Sequence, residues 1–79
     1  MSVRATIADT FNQVASEQKR QLAPLTDDLR LAHSGLDSLS FAIVVVRLEE
    51  ALGYDPFAAV DRFPTTFGEF RSLYETVRS

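Results

Sequence analysis

The chain has 79 residues, 46% of them hydrophobic and 24% charged, which suffices for one folded domain and leaves no room for a second core or a deep catalytic cleft. A net charge of −3 argues against nucleic acid as a partner, because neutralising phosphates needs a basic surface. With no cysteine, disulfides, thiolate metal ligands and a thiol nucleophile are excluded, and stability must come from packing.

Val3, Ile7, Phe11 and Val14 recur at helical spacing, while Asp9, Asn12, Glu17 and Lys19 lie elsewhere on the wheel, which predicts an amphipathic helix from Val3 to about Arg20. Pro24 disfavours helical geometry at Ala23, and the stretch from Gln21 to Gly35 mixes Leu22, Leu25, Leu29 and Leu31 with Thr26, Asp27, Asp28 and Arg30. It reads as a long loop held by leucine anchors. A loop of that length is unusual in a compact domain unless it is functional or packs into the core.

The second long helix is expected to begin at Asp37 or Ser38, both good N-cap residues, and to end at Gly53. Tyr54-Asp-Pro-Phe57 then opens a short segment to Phe63, with Pro56 suited to the first turn of a brief helix and Pro64 closing it. Thr66 and Glu69 have capping-box spacing, and Phe67, Phe70, Leu73, Tyr74 and Val77 share one face of the helix they open. Gly68 weakens its first turn. No alternating run reads as a strand, so the expected fold is a single all-α domain over 1–79, a bundle of three longer helices and one short one.

On the second helix, Phe41, Val44, Val45, Leu48 and Leu52 form the natural core stripe. Leu39, Ala42, Ile43 and Val46 lie on another side, beside Glu50, as a second apolar patch suited to docking other proteins. Ser38, judged by position alone, is a helix cap.

The wider segment adds to that. Gly35-Leu-Asp-Ser-Leu39, preceded by Thr26-Asp-Asp-Leu29 and followed by the helix ending Arg47-Leu-Glu-Glu50, resembles the attachment region of acyl carrier proteins. The similarity is closest from Leu25 to Leu52, and the order of the helices extends it to the whole chain. The resemblance implies that a phosphopantetheinyl transferase attaches 4'-phosphopantetheine from coenzyme A to Ser38, with Asp37 helping to position the transferase or acting as a plain cap. It also implies that cargo rides as a thioester, without catalysis by the chain itself, and that acyl-activating or acyl-transferring enzymes dock on Leu39, Ala42, Ile43, Val46, Glu49 and Glu50. Leu29, Val45, Leu48 and Phe63 are the residues it suggests for lining an acyl-chain pocket.

The match departs from fatty-acid-synthesis carriers where those are typically acidic, with Ser40 and Ile43 in place of two carboxylates and only Glu49 and Glu50 remaining. A more apolar docking face favours burial over electrostatic steering, which points to a specialised acyl, lipid or secondary-metabolite pathway in place of housekeeping fatty acid biosynthesis. Peptidyl or aminoacyl cargo, and a non-carrier interaction module in which Ser38 is a mere cap, are the competing readings. The six phenylalanines and two tyrosines read first as core filling and second as a shaped acyl pocket.

His33, Asp37 and Ser38 include the residue types of a hydrolase triad, but two neighbours at a helix start do not readily orient a histidine between them, and there is no Gly-x-Ser-x-Gly elbow. His33 is the only histidine and has no thiol companion, so no metal site is expected. No N-terminal stretch combines a basic start with an apolar run, and Phe41 to Val46 is too short to span a bilayer. A cytoplasmic monomer without membrane insertion is the expectation.

Overall fold

The protein is described by a computed structural model that covers residues 2–59 and 63–78. Helix α1 (Val3–Glu17) starts at Ser2, whose Oγ accepts the Ala5 N–H at 3.0 Å. It buries the predicted stripe of Val3, Ile7, Phe11 and Val14 together with Thr10 and Ala15. It ends three residues before the expected Arg20. Lys19 adopts φ 56°, its N–H donates to the Ser16 carbonyl at 3.1 Å, and the Arg20 N–H donates to the Ala15 carbonyl at 2.8 Å. This is a Schellman closure, which satisfies the last carbonyls with the chain already turning away.

The loop that follows is anchored twice over. Leu31 and Leu36 are buried, and Leu22, Leu25 and Leu29 pack half-buried against the same core. The backbone is pinned as well: the Leu31 N–H donates to the Thr65 carbonyl at 2.9 Å and the Phe67 N–H to the Leu29 carbonyl at 2.8 Å, around a single antiparallel bridge between Arg30 and Thr66. A 3-10 turn at Leu31–His33 breaks the loop midway. Gly68, a weak point by helix propensity, is where the loop comes closest: a Cβ there would stand 2.7 Å from the Asp27 carbonyl oxygen, which accepts the Gly68 N–H at 2.9 Å.

Helix α2 (Ser38–Leu52) ends at Gly53 in the left-handed conformation, with the Gly53 N–H donating to the Glu49 carbonyl. The expected fourth helix is only a 3-10 turn at Pro56–Ala59, in which Asp55 Oδ1 accepts the Phe57 N–H at 3.0 Å. Four residues offer too few i to i−4 bonds for an α-helix to repay its nucleation. The expected segment to Phe63 runs partly through 60–62, outside the described residues.

Helix α3 (Phe67–Arg78) opens with the predicted capping box. The Glu69 N–H donates to Thr66 Oγ1, and the Thr66 N–H donates to Glu69 Oε2, each at 3.2 Å. Phe67, Phe70 and Tyr74 are buried and Leu73 is half-buried; the side chain of Val77 lies outside the described residues. Among the described residues the architecture is therefore three α-helices and two 3-10 turns, with no strand.

Phe11 sits at the centre of the core, meeting Phe41 of α2 and Phe67 and Phe70 of α3 edge-to-face, with centroids 5.3 to 5.9 Å apart. Ion pairs brace the surface: Arg47 of α2 makes a bidentate contact with Glu17 of α1, and Arg71 of α3 reaches both Asp27 of the loop and Glu75. Such exposed pairs contribute little stability individually, so the aromatic cluster dominates.

Candidate functional site

The N-terminus of α2 is built around Asp37. This residue holds extended backbone geometry and its Oδ1 accepts the Ser40 N–H at 2.8 Å, so Asp37 is the N-cap and Ser38 is the first helical residue. Of the two residues offered as the cap, Asp37 takes the role and Ser38, a cap when judged by position alone, does not. Its side chain is exposed and its hydroxyl forms no hydrogen bond with a described residue.

The second oxygen of Asp37, Oδ2, accepts from Arg20 Nη2 at 2.6 Å. The carboxyl group is held below the usual aspartate range, chiefly by the Ser40 backbone N–H, then by the nearby Ser40 hydroxyl, with the Arg20 guanidinium contributing after these. Among the described residues His33, exposed at the end of its 3-10 turn, forms no hydrogen bond with Asp37, whose two oxygens meet the Ser40 N–H and Arg20.

Beside Ser38 lies an open groove of about 910 Å3. Ser38, Phe41, Ala42, Val45 and Val46 of α2 form one wall. Phe57, Phe63, Pro64 and Thr65 form the opposite one, and Leu31 and Ala32 complete it. Among the described residues no charged side chain lines it.

Of the four residues expected in an acyl pocket, Val45 and Phe63 are in this lining. Leu29 and Leu48 are not: Leu48 is fully buried in the core, and Leu29 packs against the core from the loop. Phe41, Phe57 and Pro64 were not foreseen there, because the walls come from segments far apart in sequence and only the local richness in phenylalanine hinted at them.

On the outer side of α2, Leu39 and Val46 are 63% and 53% exposed, and Ala42, Glu49 and Glu50 are exposed too. These five share one stripe of the helix. Ile43 does not belong to it; it is half-buried against the core, on the flank where Arg47 meets Glu17. The core stripe itself is narrower than expected, with Val44 and Leu48 fully buried and Phe41, Val45 and Leu52 half-buried at its edges.

Electrostatically, the first turn of α2 carries no acidic residue and presents N–H groups that an α-helix leaves unpaired. An anion on the Ser38 oxygen is therefore placed at the positive end of the helix. The residues present thus fit a phosphodiester: an exposed, unengaged hydroxyl and a favourable helix end. Among the described residues no group of His, Cys, Asp or Glu is placed to hold a metal ion, and no helix is long and apolar enough to cross a membrane.

The sequence profile of the family described as "phosphopantetheine attachment site" matches residues 2–65, a span that includes both Ser38 and the whole of α2. No individual curated protein and no solved structure matches the chain. The match covers most of the chain and agrees with the chemistry of the α2 N-terminus, so the chain belongs to the phosphopantetheine-attachment family, whose members carry intermediates as thioesters on covalently attached 4'-phosphopantetheine.

Proposed function

We propose that Ser38 is the attachment residue and that the chain is a non-catalytic, monomeric carrier of acyl intermediates, working in the cytoplasm for a specialised acyl, lipid or secondary-metabolite pathway. The observation that carries this reading is the division of labour at the start of α2, where Asp37 caps and leaves the Ser38 hydroxyl exposed and unengaged. In the loading step the Ser38 hydroxyl gives its proton to a base of the transferase, a bond from Oγ to phosphorus replaces the diphosphate bond of coenzyme A, and adenosine 3',5'-bisphosphate leaves with the electron pair. The attached arm then supplies a terminal thiol for the thioester.

The chain's own residues position and select. The α2 N-terminus favours the phosphodiester charge. Asp37 Oδ2, the oxygen not committed to the cap, is available to the transferase once Arg20 lets go. Leu39, Ala42 and Val46 give partner enzymes an apolar strip to bury, with Glu49 and Glu50 at its far end as the charged portion. That balance supports a partner set distinct from one recruited mainly by steering.

Mass spectrometry after incubation with coenzyme A and a broad-specificity transferase tests the assignment. One phosphopantetheine is expected on the native chain and none on Ser38→Ala. Addition to neither protein would favour an interaction module, and addition to both would move the attachment elsewhere.

A further inference from the structure

We infer that the groove beside Ser38 receives the carrier's own cargo and prefers an acyl group bearing an aromatic ring to a linear alkyl chain, an inference that rests on Ser38 being the attachment residue. The occupant follows from position. Ser38 is itself part of the groove's wall, so cargo tethered there meets the groove in an intramolecular step at high effective concentration.

The groove's chemistry narrows the occupant to something apolar. Phe41, Ala42, Val45 and Val46 face Phe57, Phe63 and Pro64 across it, and among the described residues none that lines it is charged. Phe63 remains 49% exposed although it is a large apolar side chain, so an apolar group laid against it removes surface that the fold leaves wet.

The packing beneath it disfavours a chain that threads inward. Beneath the groove the interior is closed: Val44, Leu48 and Phe70 are fully buried, and Phe11 packs edge-to-face on Phe41, Phe67 and Phe70. A linear chain threading between the helices would have to displace those rings, and close-packed interiors resist that. What stays accessible is the open groove itself, of about 910 Å3, where cargo lies against the rings of its walls.

The rings supply the preference. Phe57 and Phe63 are stacked, with centroids 5.4 Å apart and planes 6° from parallel, and Phe41 meets Phe63 edge-on at 5.9 Å and 73°. A further ring extends this array with offset or edge-on contacts that an alkyl chain of equal area does not make, an advantage of roughly two- to tenfold.

The experiment compares the chain loaded with 3-phenylpropanoyl and with octanoyl phosphopantetheine, following thioester cleavage by hydroxylamine relative to the same thioesters on free pantetheine. The aryl thioester is expected to be protected roughly two- to tenfold more than the octanoyl one. Phe63→Leu, which keeps apolar bulk and removes the ring, is expected to abolish that difference without lowering octanoyl protection. Equal protection, greater protection of octanoyl, or no protection of either overturns the inference while leaving the attachment reading intact. Failure of Ser38 to accept either acyl-phosphopantetheine, read as mass, overturns the reading beneath it.

Discussion

Arg20 reaches from the turn after α1 to Asp37, with its Nη2 2.6 Å from Oδ2, on the residue immediately before Ser38. The Schellman closure at Lys19 makes this contact possible, because it ends α1 early and turns the chain there. The turn that ends α1 is thus tied to the start of α2 by one ion pair, and Arg47 with Glu17 ties the two helices again further along α2.

The pairing sets a pH dependence. The folded pKa of Asp37 lies below its ordinary value of 3.8, so its contribution to stability is complete above that value and is lost as pH falls through the lower folded value. Because the Ser40 N–H is the leading cause and Arg20 a smaller one, Arg20→Gln is expected to raise the Asp37 midpoint only part of the way back. Asp37→Asn keeps a cap and removes the titration. Carboxyl-carbon NMR across the acid range checks both; complete recovery in Arg20→Gln contradicts the dominance of the cap.

Loading kinetics follow from the same contact. A transferase that engages Asp37 Oδ2 must displace Arg20, and the pair is exposed, so the barrier it adds is modest. Arg20→Gln is expected to lower the transferase KM for this carrier by no more than about fivefold, with kcat unchanged. A raised KM would instead mean that Arg20 itself contacts the transferase.

Lys19 is the one described non-glycine residue with positive φ, at 56°. Lys19→Gly removes the steric penalty of a left-handed Cβ, partly offset by the greater freedom of glycine in the unfolded chain. A net gain of about 0.5–1 kcal/mol is expected, seen as a higher thermal midpoint.

Apolar periodicity made the three α-helices and their buried faces legible, because Ile7, Phe11 and Val14, or Phe67, Phe70 and Tyr74, repeat at the period that burial on one side requires. The end of α1 was not legible, since Lys19 and Arg20 look like any polar helix surface and the closure is made by backbone hydrogen bonds. Ile43 was misplaced for a related reason: a wheel gives its angle but not which neighbours cover that flank. The groove stayed hidden because its walls meet only after Phe57 and Phe63 fold across from α2. Ser38 is the mixed case, in which the surrounding motif indicated attachment while position alone indicated a cap.

The two sides of α2 are separable by truncation. Leu39 is mostly exposed, so Leu39→Ala is expected to change stability by less than about 0.5 kcal/mol and to weaken partner docking. Ile43 packs on the core, so Ile43→Ala is expected to cost about 1–2 kcal/mol and to spare docking. Denaturant midpoints together with loading rates distinguish these outcomes, and a reversed pattern would place Ile43 on the docking stripe.

Two buried serines carry opposite expectations. Ser34 Oγ donates to the Leu31 carbonyl at 2.7 Å and accepts the Leu36 N–H at 3.3 Å, holding the loop where it enters α2. Ser34→Ala strands the Leu36 N–H and is expected to cost about 1–2 kcal/mol. Ser40 Oγ is as deeply buried yet has no hydrogen-bond partner; it lies near the Asp37 carboxylate without the geometry to bond it. Ser40→Ala removes an unpaired buried hydroxyl and is expected to be neutral or to stabilise by up to about 1 kcal/mol. The hydroxyl also favours the neighbouring charge, so the same variant should raise the Asp37 midpoint, a small loss at neutral pH that offsets part of the gain. Urea unfolding of both variants at neutral pH decides the matter: a loss at Ser40 equal to that at Ser34 would show that the hydroxyl bonds Asp37 in solution and belongs to the cap.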